Sequence, residues 1–147
     1  MIDPTEIPFV GSSEYLDRHP DRADNAQSRI YVKFYPAGSP MPHLALLDTG
    51  AHYCILAPEI VESAGVFLGE PIGWRTFQTA FGRIRGQLFP YSISLLAEYG
   101  EPLDIEVIAM VCKDWQAPTY LGYTGVLDRI QFALQPHTNR IYFGPLT

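Results

Sequence analysis

The stretch LALLDTGAHYCIL, Leu44 to Leu56, sets one carboxylate, Asp48, at the end of an apolar run and follows it with Thr49, Gly50 and Ala51. An isolated buried carboxylate is expensive, so Asp48 must face water or be held by hydrogen bonds. Gly50 lets the backbone turn sharply and brings its N–H close to the carboxylate, while the Thr49 hydroxyl can fasten the loop to a neighbouring segment. The chemistry open to a carboxylate held in this way is proton transfer. The tripeptide is weak evidence alone, since common residue frequencies produce some D-T-G in roughly a few per cent of chains this long.

Other chemistries find less support. A metal site needs clustered ligands, yet His19, His43, His52 and His137 are scattered, with no H-E-x-x-H and no paired-cysteine spacing. No metal and no cofactor are therefore expected. GSSEYL is not the G-x-S-x-G of a serine nucleophile, and GYTG is too short to cradle a phosphate and reads as a turn. Cys54 and Cys112 sit in apolar sequence as buried free thiols rather than a disulfide, which fits a reducing compartment.

The elements that must position Asp48 are mostly strands. SRIYVKFYP, PHLALLDT, HYCIL, GWRTFQTA, RIRGQLFPYSISLLA, LDIEVIAMV, RIQFAL and RIYFG are short, rich in aromatic and branched residues, and parted by Gly, Pro or Asn. APEIVESAGV offers one short helix, with Pro58 in its first turn and Gly65 as its stop, and TGVLDRI a second single turn. Residues 1–27 are polar, carry Pro4, Pro8 and Pro20, and lack sustained periodicity, so they read as a mobile arm before a domain spanning 28–147.

A length of 147 residues with 47% hydrophobic content suits one domain with a sizeable core. The net charge of -6, without a Lys/Arg block, argues against nucleic acid as a partner. The N-terminus has acidic residues where a signal peptide would be basic, and no apolar run reaches the roughly 18 residues of a membrane span. The expectation is a soluble, cytoplasmic protein with no membrane partner.

From about Ile30 to Gly144 the sequence resembles the retropepsin-like aspartic proteases. Three motifs carry the resemblance in order: D-T-G-A at Asp48 to Ala51, a glycine-containing hairpin TAFGRIRGQ at Thr79 to Gln87, and an apolar pair followed by glycine, Tyr120-Leu121-Gly122, in TYLGYTGVLDRI. RIQFALQPHTNRIYFG matches the final hairpin, with PHTN as its turn. The implied fold is all-β, a retropepsin-like half-barrel with one or two short helices, closed as a two-fold homodimer. Asp48 would be the catalytic carboxylate, with Thr49 and Gly50 bracing it. The hairpin would be a flap with Phe81 and Gly82 near its tip.

The resemblance also implies a substrate cleft formed with Ala51, Ala80, Phe81, Gly82, Ile84 and Leu121, with Leu46 a further wall. Arg83 and Arg85 flank the flap tip and would bias the cleft toward acidic side chains. His52 departs from the family, whose members commonly carry a small polar residue there. Hydrolysis of this type needs two carboxylates sharing one proton, and the chain has a single Asp-Thr-Gly. The implied enzyme is therefore a homodimeric aspartic endopeptidase in which two copies of Asp48 meet and a peptide binds as an extended strand. Terminal strands, SRIYV or the arm and the final IYFGPLT, would form the dimer contact. The alternative is a dimeric peptide-binding or assembly module of the same fold that does not hydrolyse, since fold does not fix function.

Overall fold

The computed structural model describes residues 9–20, 29–64, 68–79 and 82–146. Among these the chain forms eleven strands: β1 (Gly11–Glu14), β2 (Tyr31–Pro36), β3 (His43–Leu47), β4 (Cys54–Ile55), β5 (Gly73–Thr79), β6 (Gly82–Leu95), β7 (Tyr99–Gly100), β8 (Leu103–Val111), β9 (Thr119–Leu121), β10 (Ile130–Gln135) and β11 (Arg140–Pro145). One helix, α1 (Pro58–Ala64), follows β4, and single 3-10 turns occupy Leu127–Arg129 and Pro136–Thr138. The eight strands and the helix expected from the apolar patterning are all present, and TGVLDRI supplies the expected extra turn. Gly65, read as the helix stop, lies outside the described residues.

The larger sheet runs β2-β3-β9-β4-β8-β6-β5, and a further pairing of β2 with β6 closes six of these strands into a barrel within one chain. Closure needs a long shared strand, and β6 provides it. Its first half pairs with β5, its last three residues pair with Pro36, Tyr35 and Phe34 of β2, and its other edge pairs with β8 from Gln87↔Val111 to Leu95↔Leu103. The alternation of side chains along this ladder builds two cores from its two faces. Tyr91, Ile93 and Leu95 face Val32, Phe34 and Ile105 in the main core. Leu88, on the opposite parity, joins Met110, Cys112, Ile55 and Trp115 in a smaller cluster.

The smaller sheet has the order β10-β11-β1-β7 and corrects one expectation. The stretch read as a polar, mobile arm contains β1, which pairs with β11 from Gly11↔Phe143 to Glu14↔Arg140. GSSE shows no branched or aromatic alternation because its place is secured by close backbone approach. A Cβ on Gly11 would lie 2.2 Å from the Glu101 carbonyl oxygen, and Ser12 and Ser13 are buried. β11 in turn pairs with β10 from Arg140 to Pro145 and with β1 from Arg140 to Phe143.

This placement predicts that Gly11→Ala lowers unfolding free energy in urea by about 1–3 kcal/mol, through overpacking against Glu101 and Phe143. A free arm would show no loss.

Candidate active site

Asp48 follows directly on β3, whose pairing with β9 is parallel, Leu47 opposite Leu121. Its backbone N–H donates to the Leu121 carbonyl at 3.0 Å, which anchors the aspartate to the end of β9. The loop then folds back on itself. The Ala51 N–H donates to the Asp48 carbonyl at 3.1 Å, and the Gly50 N–H donates to Asp48 Oδ1 at 2.9 Å. The side chain is thus oriented by a backbone donor that only a tight turn brings within reach.

The two loops are also stitched together, with the Tyr123 N–H donating to the Ala51 carbonyl at 2.7 Å. Gly122 fits this crossing because any Cβ there would stand 2.5 Å from the Tyr53 carbonyl oxygen and 2.8 Å from that of Ala51. The glycine that follows Tyr120-Leu121 is thereby explained as a backbone contact with the loop that carries Asp48. Asp128 braces the same region from below, its Oδ1 accepting from the Gly125 N–H at 2.9 Å.

Within one chain these backbone bonds hold the loop, and Thr49 is exposed beside Gly50. Asp48 is half-buried. His52 is exposed and its ring lies 6.2 Å from that of Tyr53. Thr119 holds a position that the sequence did not single out. Its buried Oγ1 accepts from the Ala57 N–H at 3.0 Å and fixes the start of α1 against β9.

β5 and β6 form the expected hairpin, in register from Gly73↔Leu88 to Thr79↔Gly82. Two residues remain for the connection, Ala80 and Phe81, and both lie outside the described residues. Gly82 has φ +104°, a conformation that favours glycine. Below the hairpin opens a cavity of about 650 Å³ whose walls include Leu46, Ile84, Trp115 and Tyr120.

Leu46 and Ile84, expected in a substrate cleft, lie in the wall of this cavity. Leu121 was also expected there, but it is 1% exposed and belongs to the main core. Its neighbour Tyr120 takes the wall instead, because adjacent strand residues point to opposite faces. Residues 112–118 supply much of the far wall. They have no periodic signal in the sequence, and their order comes from local bonds such as Trp115 Nε1 to the Pro118 carbonyl at 3.0 Å.

Among the described residues no three His, Cys, Asp or Glu side chains gather as a metal ion would require, and no helix is long and apolar enough to cross a membrane. Both cysteines are free and buried. Burial pushes the Cys54 thiol up to about 12 and the Cys112 thiol up to about 11.

No protein-family model matches the chain, and no curated protein does. Among solved structures the chain is similar to a retropepsin-like aspartic protease from Rickettsia conorii, with a TM-score of 0.56 and 19% identity, over 90% of this chain and 98% of that one. The fold is thus retropepsin-like.

Two outcomes test this geometry. Gly122→Ala should cost about 1–3 kcal/mol or more in chemical denaturation, since the clash is with backbone rather than with a yielding side chain. Stability should also fall as pH rises from about 9 toward 11, by up to about 1.4 kcal/mol per pH unit for each buried thiol. The unfolded thiols ionise there while the folded Cys54 keeps its proton, so alkali favours the unfolded chain. Cys54→Ala should flatten that decline, read by denaturation at several pH values.

Proposed function

We propose that the protein is an aspartic endopeptidase that works as a homodimer, with one Asp48 from each chain. The observation that carries this reading is the half-buried Asp48 carboxylate, oriented by the Gly50 N–H and anchored through its own backbone N–H to the Leu121 carbonyl at the end of β9. One described Asp-Thr-Gly loop per chain gives half of a dyad. The exposure of Thr49 and Gly50 beside it leaves a face on which a second copy can dock.

In the dimer one Asp48 is ionised and its twin protonated, because two like charges so close do not both ionise cheaply. The ionised carboxylate takes a proton from a water held between them as the water oxygen attacks the scissile carbonyl carbon. The protonated twin gives its proton to the carbonyl oxygen, forming a neutral gem-diol. Collapse of that intermediate breaks the C–N bond as one gem-diol hydroxyl returns its proton to the now ionised twin and the proton first taken from water passes to the leaving nitrogen, which restores the dyad. Thr49 and Gly50 hold the loop. The β5–β6 hairpin, acting as a flap with Phe81 and Gly82 at its tip, covers the substrate as an extended strand. Ala51, Ala80 and Ile84 line its path, with Tyr120 in the place first given to Leu121.

The test is hydrolysis of a mixed peptide library by the parent protein and by Asp48→Asn, with and without a statine-type inhibitor. The parent should cleave and be blocked by the inhibitor, and the variant should be slower by about 10²–10⁴-fold or more. Mixed in equal amounts, parent and variant should show activity per parent chain reduced to about half, as random pairing dictates. An unchanged activity per parent chain would exclude a shared dyad, and silence of the parent toward every peptide would favour the non-hydrolysing module.

A further inference from the structure

The turn that follows β9 hangs on one side chain at the surface. Asp128 is exposed, yet its carboxylate is engaged: Oδ1 accepts from the N–H of buried Gly125 at 2.9 Å. Its backbone N–H reaches back in the same direction and donates to the Tyr123 carbonyl at 3.0 Å. The 3-10 turn Leu127–Arg129 draws no side-chain hydrogen bond at its own N-cap, Val126, so the Asp128 carboxylate serves the residues before that turn.

Gly125 is confined on both sides. It adopts φ +78°, its carbonyl accepts from the Ile108 N–H at 3.3 Å, and a Cβ there would stand 3.1 Å from that of Ile108 on β8. The other end of the turn is closed by the Leu127 N–H, which donates to the Gly122 carbonyl at 3.2 Å. Removing the carboxylate leaves the buried Gly125 N–H unpaired, and the turn has to shift to give it another acceptor.

Any such shift meets the loop that carries Asp48. The Tyr123 N–H donates to the Ala51 carbonyl at 2.7 Å, and Gly122 runs so close beneath that a Cβ would lie 2.5 Å from the Tyr53 carbonyl oxygen. The Ala51 N–H in turn holds the Asp48 carbonyl at 3.1 Å, and the Gly50 N–H sets the angle of the Asp48 carboxylate at 2.9 Å. Backbone packed this tightly transmits a displacement instead of absorbing it.

We infer that Asp128 is a positioning residue for Asp48, acting through the Gly125 N–H, the Tyr123–Ala51 hydrogen bond and the Gly50 N–H. Its carboxylate works as a hydrogen-bond acceptor, so an amide oxygen serves in its place. The catalytic part of this role rests on the endopeptidase reading. The effect of Asp128 on the angle of the Asp48 carboxylate does not.

That angle is read by nuclear magnetic resonance on the full chain labelled with ¹⁵N-glycine, which leaves twelve glycines to assign. An amide proton bonded to a carboxylate resonates downfield of a solvated one, and Asp48→Ala marks the position of the Gly50 amide without its acceptor. Asp128→Ala should carry the Gly50 amide most of the way to that position, while Asp128→Asn leaves it near that of the parent. Gly11 and Gly100, paired in the smaller sheet, should stay in place throughout, which separates a local effect from loosening of the whole fold. For a peptide that the parent cleaves, Asp128→Ala should lower kcat about 10- to 100-fold with KM nearly unchanged, because the reacting group is displaced and the cavity wall at Leu46, Ile84 and Tyr120 is not. Asp128→Asn should restore most of that rate.

An unmoved Gly50 amide in folded Asp128→Ala, or an equal displacement in Asp128→Asn, would overturn the inference. Should Asp128→Ala fail to fold, Asp128→Lys, at the same exposed position and without an acceptor, carries the same expectation, and failure of both would make Asp128 a residue of folding and overturn it too. A displaced Gly50 amide in a protein whose parent cleaves no peptide would sustain the positioning role and sink the endopeptidase. Cleavage by the parent with Gly50 unmoved in the variant would do the opposite.

Discussion

One backbone hydrogen bond organises the candidate site: the Asp48 N–H on the Leu121 carbonyl. Everything else in the region lines up on it. The bond needs β3 and β9 side by side and parallel, and that in turn requires the chain to travel through β4, α1, the hairpin and β8 before it can return to β3. Gly122 then has to pass under the carbonyls of Ala51 and Tyr53, where a side chain does not fit. The Asp48 carboxylate is held in place by the meeting of two distant segments, with the Gly50 N–H setting its angle.

The barrel and the hairpin share one continuous strand, and the site inherits its shape from that sharing. β6 carries main-core residues on one face at its C-terminal end and second-cluster residues on the opposite face at its N-terminal end. The root of the hairpin is therefore packed into the protein, while Arg83 and Arg85 beyond it are exposed. Gly86 leaves room for the second cluster, since a Cβ there would meet the Met110 side chain at 2.5 Å and Cys112 Sγ at 2.7 Å.

Much of this was legible in the sequence because it rests on periodic burial and on local turn chemistry. The long strands alternate apolar and polar residues, and the D-T-G turn, the glycine after Tyr120-Leu121 and the PHTN turn announce themselves by residue type. Asn139 in that last turn adopts φ 51°, the left-handed conformation that asparagine tolerates. What stayed hidden depends on distant partners. GSSE is a strand because Gly11 admits the Glu101 carbonyl and β11 supplies a ladder, neither of which is written in four residues. Thr119 matters only once Ala57 stands above it, and Lys113 and Trp115 line the cavity through loop geometry rather than pattern. The choice between Tyr120 and Leu121 turned on strand parity, which an apolar pair leaves open.

The pairing of β1 with β11 joins residues near the two ends of the chain. Loop closure over such a separation is entropically slow compared with forming a local hairpin. During synthesis β1 emerges from the ribosome long before its partner exists, and the ladder at Gly11–Glu14 cannot assemble until Arg140–Phe143 has cleared the exit tunnel. The small sheet therefore closes only after every strand of the larger sheet, β2 to β9, has already been made.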